Sequence, residues 1–224
     1  MRCFKLFLLS IFLILPGGAG AGENHDSYFM MIFAQEGPGH EPWLSHTFAT
    51  FVKASGSGTN KNQYKIEGHT ISWLPATLDV RLLRLSPERG KNFSLEETLR
   101  RAKSLNLRIT MWGPYQINEE LYERAVRQEK RLKQGAIGYK ALDGRFRPNV
   151  ASNCFHAISD VDADNGLLNT GTAHGNEVTL MVLNHLKRWL LRPEEVHDWV
   201  ARRMGVSDPA IVRGVLDNAI TKMP

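Results

Sequence analysis

Eight uncharged residues in a row, Tyr28 to Gln35 (YFMMIFAQ), constrain this chain more than any other segment. Asp26-Ser27 closes the run on one side and the turn-forming EGPGHEP on the other. A short, uniformly apolar run between turn formers reads as a strand buried on both faces. Such a strand belongs at the centre of a sheet with other elements packed above and below it.

Two further strand-like runs follow, SHTFATFVKA and QYKIEGHTISWL, joined by the flexible ASGSGTNKNQ and read as a long antiparallel hairpin. FSLEETLRRAKSLNL carries Ser94 and, three residues later, Glu97, a capping-box start for a helix. LRITMWGPYQI is β-branched and aromatic, with Pro114 as a bend. A second helix is expected from after Asn118 to a cap at Gly135. A short strand is expected around IGYKAL, before a loop that ends at Cys154. Beyond Cys154 the patterns NEVTLMVLNHLKRWLL, PEEVHDWVARRMG and SDPAIVRGVLDNAIT all read as helices. Strands before the cysteine and helices after it favour α+β over a doubly wound parallel sheet.

The first 21 residues follow a secretory pattern: Arg2 and Lys5, an apolar run from Leu6 to Leu15, Pro16-Gly17, and Ala19-Gly20-Ala21 as a cleavage site. That run is too short for a stable membrane anchor, so the expectation is an exported protein, periplasmic or secreted, with no transmembrane anchor after leader removal. Without Arg2 and Lys5 the 28 basic residues become 26 against 23 acidic, and the net charge of +5 becomes +3. The basic residues lie in RRAKSLNLR and RAVRQEKRLK, interleaved with Glu as on solvated helix faces, which argues against a nucleic-acid partner.

Of two cysteines only Cys154 lies outside the leader. A lone thiol in an exported chain points to reactivity rather than to a disulfide, and a helix N-terminus favours the nucleophilic thiolate. A cysteine nucleophile needs a base, and the base gains from a third polar group that fixes its ring. His46 and His69 stand in the two runs of the hairpin. If they face each other, the turn falls near residues 57 and 58 and both rings share one side. A slip of one residue turns His69 to the other face and leaves Thr70 or Ser72 as the third member.

Asn153-Cys154-Phe155-His156 resembles the asparagine-cysteine-glutamate-histidine signature of the lecithin:retinol acyltransferase-like proteins, a branch of the circularly permuted papain-like (NlpC-type) cysteine hydrolases. SHTFATF likewise resembles the histidine-bearing strand of bacterial permuted members. The resemblance implies an antiparallel papain-like sheet packed on helices over residues 22–172. It also implies Cys154 as nucleophile, His46 as general base and His69 as the orienting residue. Phe155 replaces the family's acidic residue, and the helical extension expected over 173–224 has no counterpart there. Thiolate attack on a carbonyl gives a thioester that water or another acceptor resolves, a path shared by cell-wall peptide amides and lipid acyl esters and needing no cofactor or metal.

Other readings stay open on the sequence. His156 points to a different helix face from Cys154 and reads as structural. His174 suits a base in a non-permuted order, but too few residues separate it from Cys154 to hold the strands that present such a histidine. The acidic run from Asp160 to Gly166 has its glycine one place late for a calcium loop. Trp43, Trp73 and Trp112 fall near strand ends, where packing is the commoner role. The competing functions are a non-catalytic exported binding protein on the same fold and a metal-dependent hydrolase using His46, His69 and His156.

Overall fold

The computed structural model describes residues 25–143, 150–171 and 173–216. The leader expected over 1–21 lies outside the described residues.

The apolar run forms the middle of β1 (His25–Glu36). A turn brings the chain back as β2 (His46–Gly56) and then β3 (Lys65–Ile71), β4 (Trp73–Pro75) and β5 (Glu88–Asn92). Next come α1 (Leu95–Ser104), β6 (Arg108–Ile117) and α2 (Glu119–Lys133). Both boundary signals of α1 and α2 are realised. Ser94 and Glu97 close a reciprocal capping box, Asn118 caps α2 by accepting from the Leu121 N–H, and Gly135, at φ +73°, follows the last turn.

Short strands β7 (Gly138–Tyr139) and β8 (Ala151–Ser152) lead to α3 (Cys154–Ser159), which continues as a 3-10 turn to Asn165. The chain then forms α4 (Gly175–His185), α5 (Asp198–Arg203) and β9 (Ile211–Arg213). The architecture is α+β with two mixed sheets. One has the order β3-β2-β1-β6-β9, the other β4-β5-β7-β8, and only the β6–β9 and β7–β8 pairs are parallel.

β1 has neighbours on both sides and cover on both faces, as its composition requires. On one face Met30, Ile32, Ala49, Phe51 and Trp73 pack with Leu121 and Ala125 of α2, Ala157 and Ile158 of α3, and Val182 and Leu183 of α4. On the other Met31, Phe33, Phe48 and Val52 pack with Leu95 and Ala102 of α1 and Val200 and Ala201 of α5. Phe33 and Phe48 are cross-strand partners with rings stacked 4.5 Å apart, worth about 1 kcal/mol beyond the area they bury.

Residues beyond 172 depart from the expected helical extension. α4 is part of the first core and α5 of the second. The third expected tail helix holds a strand instead, because Ile211 and Val212 continue the sheet alongside β6, whose backbone groups would otherwise lie at an open edge. Its residues 217–221 lie outside the described residues.

Candidate active site

The register of β2 and β3 decides the site. Thr50 pairs with Thr70 and Phe51 with His69. The turn therefore centres near residue 60, not at 57 and 58, and the offset from the expected register is five residues. Because the side-chain period of a strand is two, an odd offset puts His69 on the opposite face from His46. There His69 meets α2: its Nδ1 is 2.7 Å from Glu129 Oε2, its Nε2 is 3.2 Å from Glu67 Oε1, and its ring stands edge-on to Tyr122. His69 is thus corrected from an orienting residue to a structural one.

Ser72 takes that position. His46 is 2 % exposed, lies against Phe48, and has its Nε2 2.9 Å from Ser72 Oγ. Thr98 Oγ1 of α1 donates to Ser72 Oγ and shares its proton with the Ser94 carbonyl, both at 2.8 Å. The Ser72 backbone is held where β3 passes into β4. Its N–H donates to Asn92 Oδ1 at 2.9 Å, its carbonyl accepts from the Phe93 N–H at 2.9 Å, and Asn92 Nδ2 donates to the Thr70 carbonyl at 2.7 Å. His46 Nδ1 is buried and makes no hydrogen bond among the described residues. An orphaned ring nitrogen on a ring fixed from behind is a free base or donor.

Cys154 opens α3 behind Asn153. The Asn153 side chain accepts from the His156 N–H at 2.9 Å and donates to the Ala141 carbonyl, while its backbone N–H donates to Asp143 Oδ2 at 2.9 Å. The same Asp143 oxygen is 2.5 Å from His156 Nδ1, and His156 Nε2 donates to the Leu168 carbonyl at 3.0 Å. His156 is engaged at both ring nitrogens, so its role is to pin the helix start to the loop before it. From the other side Trp73 donates its indole N–H to the Ser152 carbonyl at 3.1 Å. Gly90 admits that ring, since a Cβ there would lie 2.0 Å from it.

Cys154 and His46 line one cavity of about 520 Å³, with Thr47, Tyr139, Asp143, Phe155 and Val178 among its walls. A larger groove, about 1140 Å³, runs along α1 past the α5–β9 turn and holds neither residue. Burial pushes the Cys154 thiol up to about 11. The backbone N–H groups of Thr47, Phe155 and Cys154 pull the other way, and the Asp143 carboxylate adds to the rise. Burial drives His46 down to about 3, with Arg101 contributing. The resting pair is therefore neutral thiol and neutral imidazole. The thiolate expected from the helix N-terminus is not favoured here, because α3 has fewer than two turns and burial outweighs its dipole.

His174 lines the same cavity, but its Nε2 donates to the His40 carbonyl at 3.0 Å. Trp73 and Trp112 are core residues, whereas Trp43 is 52 % exposed. Among the described residues no three His, Cys, Asp or Glu side chains gather where a metal ion could be held. The three histidines of the metal alternative are not gathered: His69 lies across the sheet from His46, and His156 is tied to Asp143.

The fold and site define an α+β protein with a cysteine at a helix start and a buried, oriented histidine in one cavity. Comparison with known protein families, with curated proteins and with solved structures finds no match.

Proposed function

We propose that this chain is a cysteine-dependent hydrolase or acyl-transfer enzyme of the circularly permuted papain-like class. The observation that carries the reading is His46: Nε2 is held by Ser72, and Nδ1 has no partner among the described residues in a ring that lines the same cavity as Cys154. The order of parts also supports it, with histidine on a strand, a polar residue beyond the neighbouring strand, and cysteine opening a helix. Residues 1–21 belong to the same reading as an export leader. No helix among the described residues is long and apolar enough to cross a membrane.

In the reaction the Cys154 proton passes to His46 Nδ1 as sulfur attacks the substrate carbonyl carbon. Backbone N–H groups at the start of α3 offer hydrogen bonds to the oxyanion. Collapse expels an alcohol or amine that takes the proton from His46, leaving a thioester on Cys154. Water or a second acceptor, deprotonated by His46, then releases the acyl group. A neutral pair suits this concerted transfer, in which charge develops only with substrate bound.

Val80, Leu82, Leu142, Phe155 and Val178 line the cavity, and among its described lining residues there is no lysine or arginine. That lining suits an apolar acyl group better than a cell-wall peptide, whose carboxylates would need cationic partners. The test is intact-mass detection of an acyl adduct on Cys154 after mixing with short- and medium-chain acyl esters. An adduct that Cys154→Ala and His46→Ala both lack supports the proposal. Turnover unaffected by either change refutes it, and selective binding with no turnover would favour the binding-protein alternative.

A further inference from the structure

Beside the cavity mouth the segment between β4 and β5 keeps its large apolar side chains out of the core. Leu83 is 87 % and Leu85 93 % exposed, and Trp43, which shares a shallow depression with Leu83, is 52 % exposed. Arg81 and Arg84 alternate with the leucines, Arg81 beside Asp79 at 2.6 Å and Arg84 3.6 Å from Glu88. Val80 and Leu82 belong both to this depression and to the wall of the cavity that holds Cys154. The outer surface and the inner cavity are therefore continuous through one stretch of chain.

We infer that residues 78–85, together with Trp43, form a docking surface for an anionic lipid bilayer. Two almost fully bare leucines two residues apart, with Trp43 beside them, exceed the scattered exposure ordinary on a soluble surface. Each leucine lies within a residue or two of an arginine, and the pairs of Arg81 with Asp79 and Arg84 with Glu88 are surface pairs of small worth that a headgroup phosphate can replace, so an occupant offering hydrocarbon and negative charge within a few ångströms of each other fits. An anionic bilayer interface does this without shape complementarity, with leucines entering the acyl region and guanidinium groups staying at the headgroups. Trp43 has the amphipathic ring that settles at that boundary. Docking there would turn the cavity mouth toward the membrane through Val80 and Leu82.

The inference is separable from the catalytic reading, because binding does not need Cys154. With Cys3 and Cys154 changed to alanine in the full chain, Leu83→Cys carries an environment-sensitive fluorophore, and Leu105→Cys at the end of α1 serves as the control site. Vesicles of phosphatidylcholine with phosphatidylglycerol should shift the probe at position 83 to the blue and leave that at 105 unchanged. Removing phosphatidylglycerol, or adding Arg81→Gln and Arg84→Gln, should weaken the response roughly tenfold. Leu85→Asp should abolish it, with circular dichroism confirming the fold. No shift at 83, or equal shifts at 83 and 105, overturns the inference. So does a dimer in the absence of vesicles that Leu85→Asp dissolves, since the occupant would then be a second copy of the chain.

Discussion

Ser72 Oγ stands 2.9 Å from Nε2 of His46, although the two residues are 26 positions apart and Ser72 lies outside any strand. The contact exists because β5 holds the Ser72 backbone through Asn92 and Phe93, and because α1 brings Thr98 to its hydroxyl. It gives the buried imidazole a fixed orientation.

Loss of that orientation should show in the chemical step. Ser72→Ala is expected to lower kcat by up to roughly a hundredfold with little change in KM. Thr98→Val should act in the same direction and Thr98→Ser should restore most of the rate. Steady-state kinetics on an acyl ester, with melting temperature as the control for folding, checks this.

His46 and His69 should separate cleanly. Removing the base with His46→Ala should reduce kcat/KM by roughly 10²–10⁴. His69→Gln breaks the contact with Glu129 on the far face of the sheet and should cost on the order of 1 kcal/mol of stability while sparing turnover. Equal losses of activity in the two variants would return His69 to the site.

Burial holds His46 at about 3, against its ordinary 6.5. Between these values the unfolded chain binds a proton that the folded chain refuses, so stability should fall as the pH drops through that window and rise with pH across it. The contribution of His46 to this slope is at most about 1.4 kcal/mol per pH unit. Urea unfolding of wild type and His46→Asn between pH 4 and 7 should show a shallower dependence in the variant.

Cys154 should resist alkylation at neutral pH. Its thiol is raised by burial from an ordinary 9.0 to about 11, so the iodoacetamide rate of the free protein should keep climbing above pH 9. An inflection well below 8.5 would instead reveal a preformed thiolate and refute the neutral resting pair.

Asp143 joins the start of α3 to His156 and also disfavours the thiolate. Asp143→Asn should therefore shift the alkylation profile to lower pH. It should also destabilise the fold by about 1–3 kcal/mol, because charge-assisted bonds at a partly buried site are weakened. Calorimetry and pH-dependent labelling of one preparation measure both effects.

Much of the frame was legible because it depends on neighbours in sequence. The uncharged run at Tyr28 to Gln35, short and closed by turn formers, suits a doubly covered strand, and Ser94 with Glu97 announces the start of α1 through bonds spanning three residues. Ile211 and Val212 misled for the same reason. Their local pattern suits a helix, and only the open edge of β6 makes them a strand.

By itself the sequence determined a central two-sided strand, the capped starts of α1 and α2, and a cysteine behind an asparagine that caps its helix. Tertiary structure alone decided which polar residue faces His46. Shifting the pairing register of β2 and β3 by an odd number of residues exchanges the two faces of a strand, and flexible turn sequence leaves that choice to packing. Phe51 and Ile71 belong under α2 and α3, so His69 goes with Phe51 and Ser72 turns toward His46. Burial was decided there too, since the same packing that brings Cys154 and His46 to one cavity desolvates both and keeps them neutral.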